Sequence, residues 1–492
     1  MVIAQTTLGA VKGREKDAAL LFAGIPYAAP PIDNLRFRAA LPHEPWSDAR
    51  PALKFGPAAP QIATGGMTDA APVRSSEDCL TLNISTPAVD AGKRPVLFWI
   101  HGGGYRTGQA AIPWYNGTRF ALNGDIVVVS INYRLGALGF TDLSRFGKEY
   151  ETSGINGILD QITALRWVRD NIENFGGDPA QVTIAGESAG GFSVCTLLGS
   201  PLAKGLFRAA ISQSGGAHHT LPAAASNQVT DRFLAALEAN GNAGTDALTL
   251  DALSTQDILA AQQSVSAELE KDTVAAYGVA VAPFYPAEGT YVLPESPLQA
   301  IAGGLNSNVP VLTGTNRDET TLWGYGKVDD AKLTAMAQRL GAAPMLSSYR
   351  ACRPEADASE LMIALTTDHM FRIPTIRLAE AREQHGAKTW MYFFCWASRA
   401  FGGRLGATHA LEIPFAFNNL DKAGVDVFLG EGPSPQSVAD AMHAAWIEFI
   451  RSGDPGWQRY DSEDRATMCF DEPSTLQNDP YGAEREAWQG LR

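Results

Sequence analysis

The stretch Val182–Ser200, VTIAGESAGGFSVCTLLGS, decides the fold that the sequence predicts. It opens with an apolar, β-branched run typical of a buried strand and continues with small and apolar residues typical of a helix. Between the two lies GESAG at 186–190, which fits the pattern G-x-S-x-G. A serine on a tight strand-to-helix turn has strained backbone dihedrals, so the residues two before and two after it must be nearly free of side chain. The stretch therefore predicts a nucleophile elbow with Ser188 at its tip.

Ser188 needs partners before it can attack, because an unactivated serine hydroxyl is a weak nucleophile. The helix predicted after it points backbone amides to the place where negative charge develops during acyl transfer. A glycine-rich turn can match five residues by chance, and the strand before and the helix after favour the catalytic interpretation. A base, an orienting acid and an oxyanion hole must then come from the rest of the chain.

A glycine-rich segment lies ahead of the elbow. The run 95–100, PVLFWI, is typical of a buried strand, and HGGGY follows it at 101–105. Consecutive glycines let backbone amides approach a ligand closely, although a flexible turn has the same composition. The position after a strand and before G-x-S-x-G favours an oxyanion loop.

Strand-like and helix-like segments alternate along the chain. Helical spacing covers 160–175 and 437–451, and helical patterns without strong strands fill about 220–305 and 330–385, one of them over 250–262. Further apolar strand patterns lie at 79–85, 126–131, 207–212, 309–314 and 389–396. The alternation predicts an α/β fold with a large, mostly parallel sheet covered by helices on both faces, and helical insertions in the two strand-poor regions.

The composition is that of an ordinary globular protein, with 492 residues of which 45% are hydrophobic and 19% charged. A net charge of −14 without a basic cluster argues against nucleic acid and anionic membranes as partners. No apolar run approaches the roughly 18 residues that span a bilayer, and the first residues lack a signal-peptide pattern. The five cysteines are scattered and form no CxxC pair, which argues against a zinc site and a disulfide framework and favours the cytoplasm.

The base is sought among eight histidines. His409 lies late in the chain, in a glycine-rich loop after a strand, where the order serine, acid, histidine places it. His101 belongs to the glycine-rich loop, and His443 falls within a helical pattern and is interpreted as structural. His218 and His219 lie just after a strand, and the remaining three have no catalytic context: His43, His369 and His385. The sequence therefore favours His409.

The acid should follow a strand between Ser188 and His409. Glu319 comes after the predicted strand 309–314 and meets this condition, but Asp318 beside it meets it as well. A carboxylate here would fix the imidazole tautomer and stabilise the imidazolium as it forms. Position alone does not separate the two acids, and a solvated turn would have the same composition.

With these residues identified, the chain resembles the type-B carboxylesterase and cholinesterase family of α/β-hydrolases over nearly its whole length. The resemblance rests on these segments: FAGIPYAAPP at 22–31, SEDCLTLNIS at 76–85, WIHGGGY at 99–105, NYRLGALGF at 132–140, FGGDPAQVTIAGESAGG at 175–191, ISQSGG at 211–216, NRDE at 316–319 and THALEIPF at 408–415. HALEIPF is more similar to bacterial members, including the para-nitrobenzyl esterases, than to animal ones.

The resemblance implies a single α/β-hydrolase domain over residues 1–492. It implies Ser188 as the nucleophile, His409 as the base and Glu319, rather than Asp318, as the orienting acid. It also implies further roles: an oxyanion hole from the amides of Gly103, Gly104 and Ala189, and a buried polar network around the histidine that includes Glu187 and Ser214.

Three departures from the family pattern are informative. Animal members pair a cysteine matching Cys79 with an upstream cysteine, where this chain has Ala59, so the loop disulfide is missing. The loop 61–79 contains no tryptophan, and choline esters are doubtful substrates without an aromatic ring that holds the quaternary ammonium. The family's N-x-D-E-G is NRDET here, a change that we expect to be tolerated.

The sequence therefore predicts a serine carboxylesterase that acts on small-molecule esters through an acyl-enzyme, without metal or cofactor. Amides or carbamates are alternative substrates for the same machinery. A non-catalytic, neuroligin-like interaction protein would have lost the serine, the base or the glycine loop, and all three are present. The sequence carries no signal for oligomerisation, and a monomer is expected. Candidates for an apolar pocket, each equally explained by core packing, are Phe192, Phe284, Trp323, Phe371 and Phe415.

Overall fold

A central sheet organises the computed structural model, which describes residues 1–62, 74–242, 247–271 and 283–491. Within these residues the sheet has 13 strands. They are β1 (Val2–Thr6), β2 (Gly9–Lys16), β3 (Ala19–Pro26), β4 (Arg50–Pro51), β5 (Thr81–Thr86), β6 (Arg94–Ile100), β7 (Val127–Ile131), β8 (Gly177–Glu187), β9 (Ala209–Gln213), β10 (Val311–Asn316), β11 (Thr389–Phe394), β12 (Ala466–Phe470) and β13 (Thr475–Asn478).

The sheet is parallel in its middle and antiparallel at its ends. Its order is β1-β2-β3-β5-β7-β6-β8-β9-β10-β11-β12-β13, with β4 beside β2. Every pair from β7 through β12 is parallel, as the predicted alternation of strands and helices requires. The other pairs are antiparallel except for the short parallel pair of β2 and β4, so the sheet is mixed.

Helices cover the sheet and connect its parallel strands. They are α1 (Thr118–Gly124), α2 (Gly136–Phe140), α3 (Asn156–Asn171), α4 (Ala189–Leu198), α5 (Ala223–Ala239), α6 (Ala247–Ala252), α7 (Thr255–Lys271), α8 (Pro297–Ala302), α9 (Asp330–Arg339), α10 (Leu346–Cys352), α11 (Ala358–Thr367), α12 (Ile373–Glu383), α13 (Ile413–Ala416), α14 (Val425–Leu429), α15 (Gln436–Ser452) and α16 (Gly482–Ala487). Residues 63–73 of the loop 61–79, and 243–246 and 272–282 of the first helical region, lie outside the described residues.

Both faces of the sheet are buried, and β6 shows why. Val96, Phe98 and Ile100 belong to one hydrophobic cluster, whereas Leu97 and Trp99 belong to another. Side chains alternate between the two faces of a strand, so a continuous apolar run is what a strand needs when helices pack on both sides. The carboxyl ends of the parallel strands then meet at one edge of the sheet, where ligands bind in folds of this type.

The helical pattern over 250–262 is divided between two helices. α6 ends at Ala252, and α7 begins at Thr255. The hydroxyl of Ser254 accepts a hydrogen bond from the amide of Asp257 and donates one to its carboxylate, at 3.1 and 2.6 Å. Ser254 therefore caps the first turn of α7, and this capping serine is the sequence signal for the start of that helix.

None of the helices in the described ranges is both long and apolar enough to cross a membrane.

Candidate active site

Ser188 stands between the end of β8 and the start of α4, at a turn that only small neighbours allow. Its φ is 56° and its ψ is −122°, in the left-handed region that a residue with a side chain rarely adopts. A Cβ on Gly186 would lie 2.5 Å from the carbonyl carbon of Gly190, and a Cβ on Gly190 would overlap the carbonyl oxygen of Ile100. Both glycines of the motif are therefore required by the close passage of the backbone.

His409 and Glu319 form a short buried contact. The Nδ1 atom of His409 lies 2.6 Å from Oε2 of Glu319, and the amide of His409 donates to the carbonyl of the same glutamate at 3.2 Å. The other carboxylate oxygen of Glu319 accepts hydrogen bonds from the hydroxyl of Ser214 at 2.6 Å and the amide of Asn316 at 2.8 Å. Since a carboxylate only accepts, Nδ1 of His409 must carry a proton, and the remaining lone pair of the neutral ring lies on Nε2.

Asp318 points away from His409 and fastens the loop that leads to it. Its Oδ2 accepts from the amide of Ala407 at 2.8 Å and pairs with Arg317 at 2.9 Å, while its own amide donates to the carbonyl of Ala407. A Cβ on Gly406 would overlap this carboxylate. Asp318 and Glu319, which are equivalent candidates by sequence position, therefore have different surroundings in the structure.

Glu187 lies on the other side of the ring. Its Oε1 is 3.1 Å from Nε2 of His409, so the imidazole is held between two buried carboxylates. Burial lowers the pKa of His409, but Glu187 and Glu319 outweigh burial and raise that pKa to about 9. Burial raises the pKa of Glu187 to about 8, against the attraction of the histidine. Among the hydrogen bonds of the described residues, none joins the hydroxyl of Ser188 to His409.

A third buried carboxylate, Glu412, was not singled out in the sequence. It is fully buried and accepts hydrogen bonds from Nε2 of Gln213 at 3.1 Å and Nδ2 of Asn316 at 2.6 Å. Burial, followed by repulsion from Glu319, raises its pKa to about 7. A single acid in the apolar segment ALEIPF, three residues after His409, is the signal that could have identified it.

The glycine-rich loop lies directly against the serine. A Cβ on Gly102 would be 3.1 Å from the Cβ of Ser188. Gly103 has a φ of +112° and a Cβ on it would overlap the carbonyl of Thr107, whereas a Cβ on Gly104 (φ +61°) would meet nothing within 4 Å.

The three amides assigned to the oxyanion hole belong to this loop and to the elbow. Within the described segments 101–108 and 188–192, the backbone amides of Gly103, Gly104 and Ala189 donate no hydrogen bond. His101 is buried in the loop and donates to the carbonyl of Gly102, and burial lowers its pKa to about 4, so it is neutral.

Three of the five candidate pocket aromatics surround the site. The rings of Trp323 and Phe371 lie 5.1 and 4.9 Å from that of His409, and they are parallel to each other at 6.0 Å. Trp323 is 50% exposed, so about half of the residue is accessible to solvent. Phe192 stacks on His219 at 3.5 Å and lies 6.4 Å from Phe371.

The other two candidates pack in the core. Phe284 contacts Phe233 at a centroid distance of 6.1 Å, and Phe415 contacts Phe394 at 4.9 Å. Both are fully buried, and their ring contacts within the described residues do not include His409. No group of three or more His, Cys, Asp or Glu side chains in the described parts of the chain is arranged to hold a metal ion.

Comparisons with known proteins agree with this architecture. The sequence model of the Carboxylesterase family matches residues 2–488. The chain is 36% identical to the para-nitrobenzyl esterase of Bacillus subtilis, covering 98% of each protein. It is 35% identical to the phenmedipham hydrolase of Pseudarthrobacter oxydans, covering 95% of this chain and 94% of the relative. The crystal structure of a Geobacillus stearothermophilus carboxylesterase superposes with a TM-score of 0.87 at 36% identity, covering 99% of this chain and 100% of that one.

The fold and these likenesses define an α/β-hydrolase that hydrolyses carboxylic esters. The chain belongs to the carboxylesterase family. The predicted family resemblance, fold class and enzyme class are thus confirmed. The comparisons favour neither an amide or carbamate hydrolase nor a non-catalytic protein.

Proposed function

We propose that the enzyme cleaves esters through an acyl-enzyme on Ser188, with His409 as general base and acid and Glu319 as the orienting carboxylate. The observation that supports this assignment is the contact of 2.6 Å between Nδ1 of His409 and a Glu319 carboxylate that two other donors hold in place. That contact leaves Nε2 as the atom that can receive a proton from the serine.

The resting contact between His409 and Glu187 is consistent with this role. An imidazolium is attracted by the Glu187 carboxylate, whose Oε1 lies 3.1 Å from Nε2 without forming a hydrogen bond to it. When the ring loses its Nε2 proton, Nε2 becomes an acceptor and has no hydrogen bond to offer a carboxylate. A neutral His409 is then free to accept the proton of the Ser188 hydroxyl as it attacks the ester carbonyl.

The reaction then follows the course of a serine acyl transfer. As Ser188 attacks, negative charge develops on the carbonyl oxygen, and the amides of Gly103, Gly104 and Ala189 stabilise it. Removal of one such donor typically costs roughly 2.7–4 kcal/mol of transition-state stabilisation. His409 gives its proton to the departing alcohol, and water hydrolyses the acyl-enzyme by the same route.

Glu187 and Ser214 support the histidine in different ways. Glu187 places a second carboxylate beside the imidazolium that forms during each proton transfer, which stabilises that charge. Ser214 donates to Glu319 and so keeps the orienting carboxylate in one position. Neither residue needs to touch the substrate for these roles.

We propose small esters with an apolar, preferably aromatic part as substrates. Trp323 and Phe371 present parallel rings beside His409, and Phe192 extends the aromatic surface. Rings bind flat apolar groups well. The name of the Bacillus relative makes para-nitrobenzyl esters natural members of a test panel.

We also propose a single-domain, cytoplasmic, bacterial monomer without a nucleic-acid partner. The five cysteines are free, which supports a reducing compartment, and the net charge of −14 opposes binding to nucleic acid. Bacterial relatives that match nearly end to end support a bacterial source and one domain.

The test is Ser188→Ala together with covalent labelling of the unaltered enzyme. A fluorophosphonate should label the peptide that contains Ser188, and the variant should lose hydrolysis of p-nitrophenyl butyrate while its thermal unfolding midpoint stays the same. Ser193→Ala is the matched control, because Ser193 lies on the same helix but hydrogen-bonds Tyr105. Substantial turnover by Ser188→Ala, or a label on another residue, would refute the assignment.

A further inference from the structure

The ring of Phe371 reaches His409 from an irregular point in a long helix. α11 and α12 are joined by a π-helical turn, Asp368–Arg372, so the backbone is helical over 358–383. Phe371 belongs to this turn, and its ring lies 4.9 Å from that of His409 and 6.0 Å from that of Trp323. π-Helical turns are rare and frequently occur at functional sites. The contacts that hold this turn therefore decide where part of the aromatic surface of the site lies.

A buried ion pair closes the turn. The guanidinium of Arg372 donates to both carboxylate oxygens of Asp368, at 2.6 and 2.8 Å. Both side chains are buried, and the two residues are the first and the last of the turn. A bidentate pair of this kind adds geometric specificity as well as energy. Phe371, directly before Arg372, is therefore carried by a turn with a defined geometry.

Two connections lead from the C-terminal helix α16 to this ion pair. In the first, the indole N–H of Trp488 donates to the hydroxyl of Tyr349 at 2.8 Å, and that hydroxyl donates to the carboxylate of Asp368. In the second, the carboxylate of Glu484 lies 3.9 Å from Nη2 of Arg372. Trp488, Tyr349 and Glu484 are each no more than 1% exposed. Water therefore competes little for these contacts.

A second guanidinium and a backbone carbonyl complete the set. Arg353 of α10 donates to both oxygens of Glu484, at 2.6 and 3.0 Å. Arg372 also donates to the carbonyl of Pro480, shortly before α16, at 3.0 Å. Side chains of α10, of the turn and of the C-terminal segment are thus joined in one network. We call this network the C-terminal clamp, and its members are Tyr349, Arg353, Asp368, Arg372, Glu484 and Trp488.

The helix on either side of the turn is fastened to loops of the site itself. The hydroxyls of Thr366 and Thr320 are hydrogen-bonded at 2.8 Å, and the hydroxyl of Thr375 donates to the carbonyl of Gly215 at 2.9 Å. Thr320 and Gly215 come directly after the proposed acid and the serine that holds it. A displacement between these two attachments would therefore move Phe371 rather than the whole helix.

Packing against the sheet leaves part of this region unsupported. A cavity of about 20 Å³ is lined in part by Arg372 and Thr375 of the helix, by Phe393 of β11 and by Pro480. Atoms that border a void lack the packing contacts that would press on them from that side. The hydrogen bonds and ion pairs of the C-terminal clamp therefore contribute a restraint that packing does not supply here.

We propose that the C-terminal clamp positions Phe371 beside His409 and so determines how tightly esters with an aromatic group bind. This inference rests on the proposed function, in which Phe371 is part of the surface that receives the substrate. The members of the clamp are positioning residues, because they act through the ring of Phe371 and need not touch the substrate. A contact that substrate and transition state share changes KM and leaves kcat unchanged. The clamp should therefore act on KM.

Glu484→Gln and Tyr349→Phe test the two connections separately. The first removes the charge that faces Arg372, and the second removes the hydroxyl that donates to Asp368, while both keep the size of the side chain. Glu486→Gln is the matched control, because it is the same substitution on the same helix at a side chain that is 66% exposed. The control should have the KM and kcat of the unaltered enzyme.

The assay compares three esters by steady-state kinetics. Ethyl acetate has no ring, whereas benzyl acetate and ethyl phenylacetate carry a ring on the alcohol and on the acyl side. An aromatic contact changes affinity by roughly 2- to 12-fold, so each clamp variant should raise KM for at least one aromatic ester by such a factor. We expect kcat for that ester, and KM for ethyl acetate, to stay at the values of the unaltered enzyme.

Phe371→Ala shows whether the clamp acts through this ring. Two independent effects add, whereas an effect transmitted by the ring disappears with the ring. Glu484→Gln should therefore change KM no further when it is combined with Phe371→Ala. Additive effects, a rise in KM that is equal for ethyl acetate, or a fall in kcat without a change in KM overturns the proposal. Unchanged kinetics in both clamp variants overturn it as well.

Folding and the proposed function are checked in the same samples. Thermal unfolding shows whether each variant is folded, and either clamp variant alone carries the test, because each breaks a different connection. If neither folds, the clamp is a folding element and the proposal is wrong. Labelling by a fluorophosphonate separates this proposal from the function on which it rests. An unaltered enzyme that is not labelled at Ser188 refutes the proposed function, whereas labelled variants with unchanged KM refute only the role of the clamp.

Discussion

Replacement of Glu319 by glutamine should slow turnover by orders of magnitude, because it moves one proton on the ring of His409. The amide of Asn316 can only donate, and it lies 2.8 Å from Oε1 of Glu319. In Glu319→Gln the side-chain oxygen must take that position, which places the new NH₂ group 2.6 Å from Nδ1 of His409. Two donors cannot share one hydrogen bond, so Nδ1 gives up its proton and Nε2 carries it instead.

The size of the effect follows from this wrong tautomer. With a proton already on Nε2, His409 cannot accept the proton of Ser188. In serine hydrolases a comparable acid-to-amide change lowers kcat by about 10⁴-fold. At roughly 1.4 kcal/mol for each factor of ten, this is a loss of about 5.5 kcal/mol of transition-state stabilisation. KM should change little, because Glu319 is buried behind the ring and does not face the substrate.

The assay is steady-state hydrolysis of p-nitrophenyl butyrate, with thermal unfolding to show that the fold is intact. Asp318→Asn is the matched control, because its side-chain oxygen can still accept from the amide of Ala407. We expect the control to retain kcat within about tenfold, or ~1.4 kcal/mol. If Glu319→Gln loses less than that, or if the control loses as much, the proton-placement argument is wrong.

Three further predictions concern the carboxylates and the glycine loop. Activity needs a neutral His409, so kcat/KM should rise with pH through the pKa of this histidine, about 9. Glu187→Gln removes one of the carboxylates that raise this pKa. The rise in the kcat/KM profile of the variant should therefore move to lower pH. Gly103→Ala should lower kcat by roughly 10²–10³, as for a lost oxyanion donor, and by more than Gly104→Ala, whose Cβ meets open space. Glu412→Ala leaves two buried amide donors without their carboxylate and should lower the free energy of unfolding by about 1–3 kcal/mol for each, measured in urea, whereas Glu412→Gln should lose less.

Each of these has an outcome that contradicts it. An unchanged pH profile in Glu187→Gln would mean that this carboxylate does not act on His409. Equal losses of kcat in Gly103→Ala and Gly104→Ala would show that the clash predicted at Gly103 does not cause the loss of activity. Unfolding curves of Glu412→Ala that coincide with those of the unaltered protein would show that its hydrogen bonds contribute nothing to stability.

The local steric patterns in the sequence predict the fold and the elbow well. GESAG and HGGGY are contiguous, and their glycines are required where the backbone passes closely, as at Gly186 and Gly190. The apolar runs predict strands buried on both faces, and β6 divides its side chains between two clusters accordingly. Such features depend on neighbouring residues, so a sequence displays them directly.

Features that depend on the direction of a side chain are harder to predict from the sequence. Asp318 and Glu319 are adjacent, and only the turn after β10 decides which carboxylate meets His409. Phe371 lies on a π-helical turn over Asp368–Arg372, an irregularity that has no sequence signature. The roles of these side chains in catalysis remain predictions that the variants above test.

The order of the site residues along the chain also determines when, during synthesis, a growing polypeptide contains all of them. Ser188 leaves the ribosome long before Glu319 and His409, and β11, which precedes the histidine loop, lies in the sheet between β10 and the later β12. A product of premature termination that ends before His409 contains Ser188 but lacks the residue that we propose as its base. We therefore expect polypeptides that end before His409 to show no esterase turnover, and the activity in a cell lysate to come only from chains that extend past this residue.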